Sequence, residues 1–411
     1  MSKVLRGSVR LPGSKSESNR ALMIAAYGGF DPEISNLSEA NDTKLLQRLL
    51  GQIALADSGE TSVVDCEDAG AVARFLMTYL ASREGSWHLT GTQRLQQRPM
   101  GPLVEALRHL GADIECLNEE GMLPLRIQGH PLTGGEVTLD GSQSSQFASS
   151  LLLSAPMWEK GLVLTLKGEL VSMPYLEMTL SMMRHFGALI RRDGMTVSVS
   201  PKPYVSRPWE VSADWSAASY WYELAALSDA CSIVLKDLHK SSLQGDKGVA
   251  ELFAKMGVST QFEADGACLV KDAGNVIETD SVWDFDFTDT PDLFPAVFVA
   301  CVALHRKSVF RGIRHLALKE SVRVESIIIE LSKIFKFNYK LEYDSIVIDK
   351  SLCKCIDDNI SILYFNTHSD HRIAMALAPL IVRFPRLVLD DPSVVAKSYP
   401  SYWIELESLM E

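Results

Sequence analysis

The residues best suited to chemistry lie in residues 11–20, LPGSKSESNR. Two cations, Lys15 and Arg20, and three hydroxyls, Ser14, Ser16 and Ser18, stand at the mouth of an apolar segment, residues 21–27. A helix start carries unpaired N–H groups and a partial positive charge. Cations placed there oppose the dipole, so the helix alone gives no reason for them. A dianion such as a phosphate seated in front of the helix does. Polar clusters recur at Asp68/Gly70/Arg74, Ser144/Ser145/Gln146, Asp292 and Asp370/His371/Arg372, each ahead of an apolar run. Ordinary capping explains Asp292 and Asp370, but it does not explain Lys15, Arg20 or Arg372.

Elements must bring these clusters together, and their order repeats. Six segments open near Ser16, Gly70, Ser144, Ala217, Asp292 and His371, roughly 54 to 79 residues apart. Each predicts a helix apolar nearly all round, hence buried, followed by a short strand rich in Val, Leu or Ile. A second, amphipathic helix is expected near Thr43, Met100, Tyr175, Lys247, Ser321 and Tyr399. Several of these end in a Gly, after which the apolar period switches to two, with Asp193-Gly194 and Asp265-Gly266 reading as hairpin turns. The repeating unit is therefore inner helix, strand, outer helix, hairpin. Six units form two groups of three, with a boundary in residues 209–219, WEVSADWSAAS.

Composition bounds the partners. The chain has 411 residues, 46% hydrophobic and 22% charged, with a net charge of −12. An acidic envelope excludes non-specific nucleic-acid binding and requires a local basic cluster for any anionic substrate. Seven cysteines without a Cys-x-x-Cys pair exclude zinc-ribbon and thioredoxin readings and point to a reducing cytosol. The apolar runs at residues 294–304 and 373–382 are too short to span a bilayer, and the first residues hold no signal core. His368, Asp370 and His371 imitate a metal site only weakly, and no metal is expected. Residues 13–16 imitate the end of a phosphate-binding P-loop, but Lys15 does not follow a Gly directly.

The sequence LPGSKSESNRALMIAA resembles the N-terminal signature of the 5-enolpyruvylshikimate-3-phosphate (EPSP) synthase family. DAGAVARF, TGTQRLQQRPMGPLVEALRHLGA, SSQFASSLLLSAP, LKESVRVE, SDHRIAMALAP and DPSVVAKSYPSY continue the resemblance in order along nearly the whole chain. It implies an α/β fold of two similar domains, each of three βαβαββ-type repeats around buried inner helices, an inside-out α/β barrel. The active site is then expected in the interdomain cleft. The implied domains are residues 13–213, and residues 1–12 with 214–411. The first strand thus belongs with the C-terminal half.

The reaction implied moves the enolpyruvyl (carboxyvinyl) group of phosphoenolpyruvate onto the 5-hydroxyl of shikimate 3-phosphate, without a cofactor. Two phosphates and two carboxylates repel one another, so several cations must gather. The motifs offer Lys15, Arg20, Arg98, Lys319, Arg323, Arg372 and Lys397. By resemblance, shikimate 3-phosphate meets Lys15, Ser16, Arg20, Ser144, Ser145, Gln146, Ser172, Tyr175, Asp292 and Lys319. Phosphoenolpyruvate meets Lys15, Gly70, Arg98, Gln146, Arg323, Arg372 and Lys397. Asp292 is the implied base and Glu320 the implied acid, which must then hold a proton, with Lys15 beside them. Outside that context, Asp292 reads as a cap and Glu320 with Arg323 as a surface pair.

Three positions depart from the family pattern. Ala71 replaces a usual Thr, Phe75 stands where Pro is frequent, and His315 stands where many members have Asn touching the sugar phosphate. These bear on the fit around phosphoenolpyruvate, on glyphosate-type inhibitors and on the role of His315. Two rivals stay open. The sister transferase acting on UDP-N-acetylglucosamine shares the fold but usually carries a loop Cys, which residues 85–98 lack. A non-catalytic anion-binding relative is the other. The expected setting is the cytoplasm, with a single chain as the working unit and no nucleic-acid or membrane partner.

Overall fold

The structure, a computed structural model, describes residues 4–31, 33–56, 60–272, 281–353 and 362–411. The apolar inner segments fold as helices Lys15–Gly28, Gly70–Ala81, Ser145–Ser154, Trp215–Leu227, Phe294–Ala303 and His371–Leu377. Apolar sequence on every side demands burial all round, and each residue of Phe294–Ala303 is buried. Side-chain caps set several starts. Ser144 accepts from Gln146 N–H, Asp214 from Ser216 and Ala217 N–H, and Asp370 from Arg372 N–H. The outer helices are Asn41–Leu55, Gly101–His109, Met173–His185, Val249–Ala254, Arg323–Leu331 and Tyr402–Met410. They carry one apolar face, and Pro102 and Pro174 sit in the first turn, where a missing N–H costs nothing.

Strands complete the repeats. Thr61–Asp65 runs parallel to Gly85–Thr90 across the Gly70–Ala81 helix, and the antiparallel pair Asp113–Cys116 and Leu125–Gly129 follows the outer helix. The same parallel-plus-hairpin order recurs in the sheets beginning with Gly135–Asp140 and with Trp283–Asp286. A fourth sheet takes its first strand from the N-terminus, Val4–Arg10, parallel to Ala230–Lys236. Two repeats differ from the sequence expectation. Among the described residues, their sheets pair only Ile34–Ser35 with Trp209–Glu210, and Leu363–Phe365 with Leu387–Leu389. After the outer helix Asn41–Leu55 the next described strand, Thr61–Asp65, already belongs to another sheet.

The hairpin turns each sit one residue from their expected place. Asp193 pairs with Thr196, so the loop is Gly194-Met195, with Gly194 at φ +56°. Glu263 pairs with Gly266, so the other loop is Ala264-Asp265.

The chain divides into two compact units, Lys15–Val211, and Met1–Ser14 with Ser212–Glu411. Each has its own apolar core built on its three inner helices. In the first unit small hydroxyls join neighbouring helices. Thr78 and Ser150 lie 2.6 Å apart, and Ser150 Oγ donates to the Arg74 carbonyl at 2.6 Å. Small polar side chains at this seam let the helix starts, and the residues they carry, come close. Among the described residues, no helix is long and apolar enough to cross a membrane.

Candidate active site

In the unit Lys15–Val211 the inner-helix starts bring together the residues singled out in the sequence. Lys15 Nζ lies 2.9 Å from Asp42 Oδ2, at the start of the neighbouring outer helix. Arg20 is 3% exposed, and burial pulls its pKa down to about 10, so it stays a cation. Its guanidinium donates to Thr179 Oγ1 at 2.7 Å, the Ser16 carbonyl at 2.9 Å, the Tyr175 carbonyl at 3.2 Å and Ser149 Oγ at 3.4 Å. Arg20 therefore ties three helices as well as supplying charge. Phe75, the residue that replaces a frequent Pro, lies beneath it, with the ring centroid 5.6 Å from the guanidinium carbon.

Gly70 has a steric reason to be glycine. A Cβ there would stand 2.6 Å from Arg98 Nη1. The missing side chain lets the buried Arg98 lie against the helix start. Ser144, Ser145 and Gln146 open the next inner helix. Ser172 adopts the left-handed conformation (φ 59°) just before the helix that carries Tyr175.

Arg74 belongs to this cluster, although the sequence reading left it out of the ligand set. It is buried, donates to Gln146 Oε1 at 2.5 Å and covers the Phe147 ring at 5.0 Å. Its signal was its position one turn after Gly70 on the same helix.

In the other unit, acidic and basic groups interleave. Arg372 donates to Asp292 Oδ2 at 2.6 Å, and Arg323 to Asp292 Oδ1 at 3.2 Å. Arg323 also donates to Glu320 at 2.6 Å and to Asp370 Oδ2 at 2.8 Å, and is 1% exposed. Glu320 and Arg323 are thus no surface pair. Burial alone would raise the Asp292 pKa, but Arg372, Lys319 and Arg323 hold it well below the usual carboxylate range. Burial works against the Arg323 cation too, yet Asp370, Glu320 and Asp292 raise its pKa. Lys397, at the end of the turn Pro392–Lys397, is buried.

His315 is 3% exposed, and neither ring nitrogen has a hydrogen-bond partner among the described residues. Burial, then Lys319, pushes its pKa down to about 3, so the ring is neutral at physiological pH. Its signal was the departure from Asn.

Asp246, 2% exposed, accepts from Ser216 Oγ. Burial, then the charge of Asp292, lifts its pKa to about 7. Nothing in its sequence pattern marked it. Asp370, read as a cap, also holds Arg323 and Ser321. His368 turns to Glu330, with Nε2 3.0 Å from Oε1.

Each unit thus concentrates cations among buried acids, which suits small polyanions. Comparison with known proteins agrees. The family model for EPSP synthase (3-phosphoshikimate 1-carboxyvinyltransferase) matches residues 1–406. A Bacteroides fragilis protein named 3-phosphoshikimate 1-carboxyvinyltransferase is 42% identical over 408 residues, covering 98% of this chain and 95% of its own. One of the same name from Syntrophobacter fumaroxidans is 33% identical, covering 98% and 97%. A solved EPSP synthase from Acinetobacter baumannii shares the fold, with a TM-score of 0.73 and 23% identity over 100% of this chain and 96% of that one.

Proposed function

The chain belongs to the EPSP synthase family, and from that premise we propose that it transfers the 1-carboxyvinyl group of phosphoenolpyruvate to the 5-hydroxyl of shikimate 3-phosphate, releasing phosphate. The observation that carries the reading is Asp292, an ionised carboxylate between two buried arginines that are themselves suited to anions.

Lys15, Ser16, Arg20, Ser144, Ser145, Gln146, Ser172, Tyr175, Asp292 and Lys319 take shikimate 3-phosphate. Arg20 is already engaged by protein groups and acts mainly as a buried charge. Phosphoenolpyruvate takes Lys15, Gly70, Arg98, Gln146, Arg323, Arg372 and Lys397.

Asp292 receives the proton of the attacking 5-hydroxyl. It is a weak base while both arginines hold it, and it strengthens as they turn to the carboxylate and phosphate of phosphoenolpyruvate. The same exchange frees Glu320 from Arg323, so that Glu320 can carry a proton to the methylene carbon. A tetrahedral intermediate then loses phosphate as Asp292 and Glu320 reverse roles, with the cations stabilising the departing charge.

A single chain carries the whole set, so a monomer suffices. The described cysteines Cys66, Cys116, Cys231, Cys268 and Cys301 are free thiols, which suits the cytoplasm. The test is phosphate release with both substrates present. Release is expected, and it should cease when UDP-N-acetylglucosamine replaces shikimate 3-phosphate. Binding without release would favour a non-catalytic relative.

A further inference from the structure

The turn that feeds the His371–Leu377 helix holds two successive non-glycine residues in left-handed conformation, His368 at φ 51° and Ser369 at φ 54°. Side chains resist this region, and such strain persists only where the surroundings enforce it. Glu330, 1% exposed, enforces it. Its Oε2 accepts from Asn366 N–H at 2.8 Å and from Lys333 at 2.5 Å, and its Oε1 lies 3.0 Å from His368 Nε2. Asn366 Oδ1 accepts from His368 N–H at 2.6 Å, and Asp390 Oδ1 from Thr367 N–H at 2.8 Å.

The turn ends at Asp370, whose N–H donates to the Thr367 carbonyl at 2.9 Å. The Asp370 carboxylate, 0% exposed, accepts from Arg323 Nε at 2.8 Å, Ser321 Oγ at 3.0 Å and Arg372 N–H at 2.9 Å. Arg323 and Glu330 lie at opposite ends of the helix Arg323–Leu331. One helix therefore grips the turn twice, at its strained middle and at its exit.

We propose that Glu330, working through His368, is a positioning residue for carboxyvinyl transfer. It locks residues 366–369 so that Asp370 aims the Arg323 guanidinium and seats the helix start that carries Arg372. The inference rests on the assignment of those two arginines to phosphoenolpyruvate. Without the clamp the left-handed pair relaxes, Asp370 moves, and the arginines lose the alignment that a reacting geometry requires.

The test uses the whole chain, with Glu330→Ala and His368→Ala each made alone and combined with Ser369→Gly. Glycine removes the steric cost of the left-handed backbone. Glu330→Ala should raise KM for phosphoenolpyruvate at least about fivefold and His368→Ala at least about twofold, with KM for shikimate 3-phosphate within about twofold of wild type. Ser369→Gly should recover at least about half of each loss. Should Glu330→Ala not fold, His368→Ala with and without Ser369→Gly decides. A folded His368→Ala with the wild-type KM overturns the proposal. So does a loss shared equally by both substrates, or one that Ser369→Gly leaves untouched. A wild-type chain that releases no phosphate ends the functional reading and this inference together; an active wild type beside unchanged variants ends this inference alone.

Discussion

Asp292 shows how one carboxylate can meet opposing demands. It must be ionised to accept a proton, and Arg372 and Arg323 guarantee that. Asp292→Asn should cut turnover by about 10²–10⁴-fold in a phosphate-release assay. The carboxylate also has a stability signature. Its folded pKa lies below the unfolded value of about 3.9, so its contribution is present above that pH and is lost as pH falls through the folded value. Acid melts of Asp292→Asn should therefore converge with wild type only under strong acid. Gly70 is tested differently. Gly70→Ala places a methyl 2.6 Å from Arg98 Nη1, the far end of a long side chain. The expected result is about a tenfold rise in KM for phosphoenolpyruvate with less than about 1 kcal/mol lost in denaturant melts.

The inner helices carry the molecule's polar anomalies. Glu223, in the middle of Trp215–Leu227, is 0% exposed, and neither carboxyl oxygen has a hydrogen-bond partner among the described residues. Burial raises its pKa well above normal. An acid whose folded pKa is raised contributes most below the unfolded value of about 4.3 and destabilises increasingly as pH climbs toward the folded value. Glu223→Gln should therefore gain about 1–3 kcal/mol at pH 7 relative to its effect at pH 4, read from denaturant midpoints. Equal effects at both pH values would mean that Glu223 titrates in the fold as it does in the unfolded chain. Such helices are legible in sequence because an all-round apolar surface has one stable fate. The hairpin turns were less so, since each slid by one residue to satisfy strand pairing.

Across the whole molecule, an acidic chain of net charge −12 surrounds concentrated cations. Screening should weaken capture of anions, so KM for both substrates should rise about two- to fivefold between 50 and 500 mM salt. Lys15 belongs to this cation set but also neutralises Asp42, which is 4% exposed. The ion pair argues that Lys15→Ala costs about 1–3 kcal/mol of stability as well as turnover. Adding Asp42→Asn should restore much of the melt without restoring turnover.

The sequence by itself determined the repeat order, the buried inner helices and most of the cations, because apolar periodicity and motif spacing are local. Asp292 stood out at the start of an apolar segment, whereas Glu320 and both catalytic roles came from family resemblance. Only the tertiary structure decided which charges meet. Arg74 reaches Gln146, the half-buried Glu320 accepts from Arg323, and Asp246 faces the charge of Asp292. The Glu330 grip on a strained turn joins residues 38 apart in the chain. Pairing and burial depend on how distant segments pack, and no window of sequence contains that information.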